Sequence, residues 1–449
     1  MKVTKFGGSS LASTKQFKKV LEIVRSDEAR KFIVVSAPGK RSAKDVKVTD
    51  SLIAYYNAYR KGEDYEYFQT SIIKRYEDMA SELGLNTPVM FEIAQNIKAL
   101  ATLPIEGNQY LYDTFLASGE NNNAKLIAAY FQAEGLAARY LHPKDAGIIV
   151  TDEPGNARIL PESYEKINYL NDVDGVIVIP GFFGVTSAGE VCTFSRGGSD
   201  ITGSIIAAGV RANLYENFTD VDGIFAAHPG IVDNPHTIGE LTYREMRELA
   251  YAGFSVLHDE ALIPAYRAKV PVVIKNTNNP THPGTRINLK HTEKAGPVIG
   301  IASDDGFASI NITKYLMNRE VGFGRKLLSE LERLGIRFEH MPSGIDDLSV
   351  IVREHELSPE IERTLLERLT EILDPDEIDI EHGLSIIMIV GEGMKRHIGV
   401  TAVGTTALSK KGINLEIINQ GSSEVSVMFG IKKENEHDAV EALYEAYYR

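Results

Sequence analysis

Lys5 stands two residues before a glycine pair in Lys2-Val3-Thr4-Lys5-Phe6-Gly7-Gly8-Ser9-Ser10, an order of residue types suited to holding an anion. The stretch reads as a strand, a glycine loop and the start of a helix. Without a Cβ in the way, the loop backbone can approach a phosphate, the amides of Gly7, Gly8 and Ser9 can point at it, and Lys5 adds a mobile cation. An ordinary strand-to-helix turn carries the same glycines, so this segment alone leaves both readings open. A second run, Thr193-Phe194-Ser195-Arg196-Gly197-Gly198-Ser199-Asp200, repeats the device and adds an arginine and a carboxylate. Arg196 can grip a carboxylate through two parallel hydrogen bonds, which a lysine cannot do. Ser199 and Asp200 also stand where a helix N-cap belongs, and capping alone would account for them. A third run, Asn217-Phe218-Thr219-Asp220-Val221-Asp222-Gly223-Ile224-Phe225, follows the strand-like Asn213-Leu214-Tyr215; taken singly it reads as a turn of Asp and Gly.

The elements that must position these groups alternate along the chain. Phe32–Val35, Gly147–Val150, Val176–Ile179 and Val270–Ile274 are β-branched runs flanked by Gly or Pro, which predicts buried strands. Helical spacing separates them at Lys15–Arg25, Asp50–Tyr59, Asn122–Glu134 and Ser199–Gly209, as in a parallel sheet covered on both faces. Residues 55–110 carry helical patterns with no strand between, a helical subdomain that could wall a substrate cleft. Their tyrosines (Tyr55, Tyr56, Tyr59, Tyr65, Tyr67) read as packing.

Composition narrows the function classes. The chain has 449 residues, too many for one hydrophobic core, so two or three domains are expected. A net charge of −14 argues against nucleic acid as the main partner. No apolar run approaches membrane-spanning length and the first residues lack a signal-peptide pattern, so no membrane association and a cytoplasmic location are expected. The single cysteine, Cys192, excludes an internal disulfide and reads as a small buried hydrophobe. Gly39-Lys40 lacks the rest of a P-loop, and Gly391-Glu392-Gly393 fails the dinucleotide pattern.

The last third repeats itself. Gly335–Val350 matches Gly412–Val427 without a gap, an offset of 77 residues (412 − 335), and the same offset places Gly322 on Gly399. Each copy reads strand, glycine turn, helix, strand, loop, strand, with a second helix in Pro359–Leu373 and Asn435–Tyr448. The paired modules resemble ACT domains, which bind amino-acid effectors and join subunits; a purely dimerising role is the alternative.

Together with Ala117-Ser118-Gly119-Glu120, the three runs resemble the aspartokinases of the amino-acid kinase superfamily, and the likeness spans essentially the whole chain. It implies an α/β fold: a parallel-sheet sandwich kinase domain over 1–295, then two βαββαβ, ferredoxin-like ACT modules over 303–382 and 383–449. It implies ATP-dependent phosphorylation of the β-carboxylate of L-aspartate, the first step towards lysine, threonine and methionine. Lys5 and Asp200 become the catalytic pair, and Thr49, Glu120, Arg196, Gly197, Gly198 and Ser199 the substrate contacts, with Arg196 on the α-carboxylate and Glu120 on the α-amino group. Lys5, Phe6, Gly7, Gly8, Ser9, Ser36, Thr219, Asp220, Phe225, Gly230, Ser255 and Val256 fall to the nucleotide. Mg²⁺ is expected on phosphate oxygens and water, with no dedicated protein ligands. The chain departs from the family pattern at His228-Pro229-Gly230 and at Ser255, losing two cations near the nucleotide. Met317, Glu320, Phe323, Gly324, Phe338, Asp346 and Asp347 match an effector site, with lysine favoured and threonine second, in a homodimer or dimer of dimers joined through the ACT modules. A sister kinase acting on glutamate, N-acetylglutamate, UMP or carbamate, and a non-catalytic amino-acid sensor, are the competing readings. The Arg196 run and tandem repeats oppose the first, and retention of Lys5, Arg196 and Asp200 opposes the second. From the length and the failed dinucleotide pattern at Gly391-Glu392-Gly393, no fused homoserine dehydrogenase is expected.

Overall fold

Apolar runs alternating with amphipathic helices build the largest of three sheets among the described residues. The computed structural model describes residues 1–85, 87–195, 197–254, 257, 259–292 and 296–449. Its first unit comprises Met1–Ile224, Thr237–Met246 and Ser255–Thr292, and its second Phe225–His236, Arg247–Phe254 and Glu293–Arg449. The expected unbroken kinase span over 1–295 is therefore interrupted, because Phe225–His236 and Arg247–Phe254 pack within the second unit. His236, for example, donates its backbone N–H to the Tyr444 hydroxyl at 2.9 Å.

In the first unit, β1 (Lys2–Phe6), α1 (Thr14–Arg25) and β2 (Arg30–Val35) lead into α2 (Val48–Lys61), α3 (Glu66–Glu82), α4 (Thr87–Ala99) and α5 (Leu111–Ala133). There follow β3 (Ala138–Tyr140), α6 (Glu162–Asn168), β4 (Val176–Pro180), β5 (Phe183–Val185), β6 (Val191–Thr193), α7 (Gly198–Gly209) and β7 (Leu214–Thr219). The run ends with β8 (Glu240–Thr242), α8 (Tyr243–Tyr251, of which Arg247 onward belongs to the second unit), α9 (Ile263–Ala268), β9 (Val272–Asn276) and β10 (Thr285–Asn288). The main sheet has the order β3-β4-β2-β1-β7-β9-β10-β8, parallel except for the β9–β10 pair. Consecutive residues of β2 and β4 are buried, so both faces are covered, as near-continuous apolar strands require. Helix α1 shows the local logic: Ser13 caps it by accepting from the Gln16 amide, and Phe17, Val20, Leu21 and Val24 bury one face.

Residues 55–110 are helical, as expected, and the tyrosines pack. Tyr55 stands edge-on to Phe115 with ring centroids 5.0 Å apart and touches Tyr65 at 5.4 Å. The expected strand over 147–150 is not continuous. Ile149 pairs in parallel with Val185 and Val150 antiparallel with Ile159 as isolated bridges, because this segment lies along the short β5–β6 ribbon and not in the main sheet.

The second unit adds β11 (Gly300–Thr313), α10 (Phe323–Leu334), β12 (Phe338–His340), β13 (Asp347–Arg353), α11 (Pro359–Leu373), β14 (Glu377–Val390), α12 (Val400–Lys410), β15 (Ile417–Asn419), β16 (Ser426–Lys432) and α13 (Glu436–Tyr448). They form one antiparallel sheet, β12-β13-β11-β14-β16-β15. β11 and β14 are each 14 residues long and serve both repeats. Phe307–Thr313 pairs with β13 and with the start of β14, whereas Gly300–Asp304 pairs with Ile386–Val390. The second module therefore takes its fourth strand from before the first, and the expected boundaries at 303–382 and 383–449 cut through a nested pair. Among the described residues no helix is long and apolar enough to cross a membrane.

Candidate active site

Sheet register brings Lys5 to Asp200. Lys5 lies opposite Asn217 in the β1–β7 pair, and register partners in a parallel pair project to the same face. Lys5 Nζ approaches Asp200 Oδ1 at 2.6 Å, and Asn217 Nδ2 donates to the same oxygen at 2.7 Å. The preceding positions face the other way, where Arg30 Nε donates to Glu216 Oε2 at 2.6 Å and Thr4 to Glu216 at 3.2 Å. That pair is buried and structural, and removing one partner is expected to cost about 3–5 kcal/mol.

Asp200 is not a cap. Helix α7 is capped by Gly197 at φ 74° with no side-chain cap bond, which leaves the Asp200 carboxylate for Lys5 and Asn217. The capping-only reading of Ser199 and Asp200 thus fails, since the cap falls at Gly197, two residues before Ser199.

The glycine loop is built differently from a strand-to-helix phosphate turn. A single 3₁₀ turn, Ser9–Leu11, follows Gly8, and α1 starts only at Thr14. The Gly7 amide, expected to face phosphate, donates to the Phe218 carbonyl at 3.1 Å, continuing the sheet ladder. The amides of Gly8 and Ser9 have no acceptor among the described residues. Phe6 is fully buried and stacks on Phe218 at 5.1 Å, so its side chain belongs to the core. The loop is pressed against Gly39, whose amide donates to the Gly8 carbonyl at 2.8 Å; a Cβ at Gly39 would lie 2.6 Å from that carbonyl group. Gly39 carried no signal in the sequence beyond its failure as a P-loop.

Strands β1, β2 and β4 end in register, Phe6 opposite Val35 and Val35 opposite Pro180. The residues just beyond them gather at the carboxyl ends of a parallel sheet, the usual place for a ligand. A cleft of about 400 Å³ is lined there by Lys5, Ser36, Ser195, Gly198, Ser199 and Asp200, among others. Gly197 lines it too, so both sides of position 196 border the cleft that Lys5 enters. Arg196 itself lies outside the described residues, as do Ser255 and Val256.

Helix α5 forms another wall through Tyr112 and Leu116. Glu120, one turn beyond Leu116, is buried, with Oε2 lacking a hydrogen-bond partner. Burial pushes its carboxyl up to about 7, against the opposing influence of the Ala37 amide and the Lys5 charge. Gly119 explains the close fit: a Cβ there would stand 3.0 Å from the Ala37 side chain and 3.1 Å from Leu52. Thr49 opens α2, whose Val48 amide is tied to the Pro38 carbonyl at 3.2 Å.

The remaining nucleotide candidates are dispersed. Thr219 ends β7, its hydroxyl on Asp220 at 3.1 Å, and Asp220 is exposed. Phe225 and exposed Gly230 belong to the Phe225–His236 segment of the second unit. Cys192 is fully buried in β6, and burial pushes its thiol up to about 11.

In the second unit all the effector candidates but Phe338 fall at one end of the first repeat; Phe338 pairs with Val352, towards the far end of β13 from Asp347. Glu320 is held by Lys314 at 2.9 Å and Lys326 at 2.6 Å, and Asp346 accepts the Leu316 amide at 2.8 Å. Met317 and Phe323 are buried, Phe338 and Asp347 exposed, and Gly324 lies in the first turn of α10. Of the seven positions 77 residues on, five, Met394, His397, Val400, Thr401 and Glu424, line a cavity of about 500 Å³ in the second repeat.

Comparison with known proteins bears on the family and the fold. The amino acid kinase family profile matches residues 1–276 and an ACT domain profile residues 387–447. Aspartokinase 3 of Bacillus subtilis is 54% identical over 100% of this chain and 99% of its own length. The chain belongs to the aspartokinase family. As in that family of phosphotransferases, an α/β kinase region is followed by an ACT region. The aspartate kinase of Clostridium acetobutylicum, described as an allosteric enzyme, superposes with a TM-score of 0.87 at 40% identity, covering 100% of both chains. Aspartokinase III of E. coli, solved with aspartate and ADP, gives 0.81 at 23% identity over 100% of both chains and shares the fold.

Proposed function

We propose that the chain phosphorylates the β-carboxylate of L-aspartate with ATP, giving 4-phospho-L-aspartate. The observation that carries this is the convergence of Lys5 and the Ser195–Asp200 arm on one cleft. Such a transfer needs no covalent enzyme intermediate. A carboxylate oxygen attacks the γ-phosphorus as the bridging P–O bond breaks and ADP leaves, so catalysis consists of alignment and charge neutralisation. Lys5 and the unengaged amides of Gly8 and Ser9 suit the β- and γ-phosphates, with the Ser36 hydroxyl beside them. Mg²⁺, if bound, would supply charge neutralisation on the phosphate oxygens, and Asp200 would orient a water on it. Arg196 takes the α-carboxylate. Glu120 takes the α-ammonium, a role its unpartnered oxygen suits, and Thr49 and Gly197–Ser199 complete the substrate pocket. Thr219, Asp220, Ser255 and Val256 serve the adenosine end, where a hydroxyl or backbone contact replaces the cation lost at Ser255.

The product feeds lysine, threonine and methionine synthesis in the cytoplasm. Feedback acts through the first repeat, with lysine as effector and threonine second, and the protein assembles as a homodimer or dimer of dimers through its ACT modules. E. coli aspartokinase III, also solved with lysine and aspartate, offers the precedent. The cavity at the equivalent positions of the second repeat favours a second reading, in which that repeat also binds effector.

Trapping acyl phosphate as hydroxamate with aspartate, glutamate and N-acetylglutamate, each with and without lysine or threonine, tests these assignments. Aspartate should give the fastest rate, and a faster rate with glutamate overturns the substrate.

A further inference from the structure

Asp113 is a carboxylate in the first turn of α5 with only 1% of its surface exposed. No Lys or Arg pairs with it among the described residues; a single oxygen, Oδ2, accepts the Thr193 amide at 2.6 Å and the Gly155 amide at 2.8 Å. Burying a carboxyl group is costly unless hydrogen bonds compensate it, and here the two amides supply them. What Asp113 holds is the base of the substrate arm. Strand β6 pairs with β5 along one edge, and the Thr193 carbonyl accepts the Ala157 amide at 3.0 Å. Asp113 therefore clamps β6 to the 155–157 segment. One residue on, the Phe194 amide donates to the Phe182 carbonyl at 2.8 Å, and the chain then enters Ser195–Asp200. Gly155, Thr193, Phe194 and Ser195 all line the cleft.

Asp113 and Glu120 are seven residues apart, two helical turns, and so share one face of α5 about 10 Å apart along its axis. We propose that Asp113 is a positioning residue for aspartate, using α5 to fix the arm that bears Arg196 at a set distance from Glu120. This rests on the aspartate-kinase reading. Asp113 touches no reacting atom, and its influence reaches substrate through the two amides alone.

The test compares Asp113→Ala and Asp113→Asn in the full chain. Asparagine can place a neutral oxygen where Oδ2 stands, so it should act as a partial rescue. Its aspartate KM should rise about threefold to fivefold, and that of Asp113→Ala more than tenfold, with ATP KM within twofold in both. Hydrogen exchange in Asp113→Ala should quicken in peptides spanning 151–158 and 189–200 and stay unchanged in the body of α5. An aspartate KM within 1.5-fold of wild type in either folded variant, or equal rises for aspartate and ATP, overturns the proposal. If Asp113→Ala does not fold, the same criteria applied to Asp113→Asn decide. Absence of aspartate-dependent hydroxamate in the wild type would instead overturn the functional reading, and the exchange data would still report on the clamp.

Discussion

The two ends of the proposed site handle charge in opposite ways. At the phosphate end Lys5, Asp200 and Asn217 already satisfy one another within 2.7 Å. Along α5, Glu120 is buried with an unpartnered oxygen and a carboxyl pushed up to about 7. A paired cation can be handed to an incoming phosphate at modest cost, because the site is preorganised before substrate arrives. An unpaired buried carboxylate is a standing cost that an arriving ammonium would relieve. In the proposed reaction the first end would serve turnover and the second recognition.

Breaking the paired end should have the largest effect. For Lys5→Ala we expect kcat to fall about 10²- to 10³-fold with smaller changes in KM, measured by hydroxamate formation. A loss confined to aspartate KM would erase the distinction between the ends. Arg196→Ala should leave kcat less affected and raise the aspartate requirement by more than tenfold, with modest change for ATP; the reverse pattern refutes its role.

Glu120→Gln sharpens the contrast. Aspartate KM should rise about tenfold, whereas the unliganded protein should melt at higher temperature at pH 8. Because the folded-state carboxyl lies above its usual 4.5, its favourable contribution is complete at acid pH and is lost as pH rises through about 7. Ionisation at pH 8 then costs about 1–3 kcal/mol that glutamine avoids. A lower melting temperature for Glu120→Gln at that pH contradicts this. By the same logic kcat/KM for aspartate should fall about tenfold per pH unit below 7 in the wild type, as the ammonium partner is protonated away, and Glu120→Gln should flatten that limb. The smallest effect is expected at Cys192: with its thiol pushed up to about 11, Cys192→Ser should retain activity within about threefold, and native-state alkylation should be undetectable over an hour.

Much of the cleft was legible because its chemistry is local. Glycine beside lysine, and arginine before a glycine pair, mark loops whose backbone must lie open, and Ser36 follows a strand whose β-branched run is unmistakable. Glu120 needed the family resemblance, since one acid in a helix carries no signal of its own. Asn217 lay in a quoted motif, but its bond to Asp200 depends on β1 and β7 being neighbours, which no local pattern encodes. Asp113 was invisible for the same reason: its two amide partners lie 42 and 80 residues away.

Residue order alone specified the alternation of strands and helices, the duplicated module and the residue types at each turn, because hydrophobic period and turn chemistry act over a few neighbours. Packing decided the rest. It gave the Gly7 amide to the ladder and left those of Gly8 and Ser9 open, turned Asp200 from a cap into the partner of Lys5, and threaded Gly300–Asp304 into the second repeat. Each of these choices is settled by which strands lie side by side, a competition among distant segments for the same hydrogen bonds and the same buried surface.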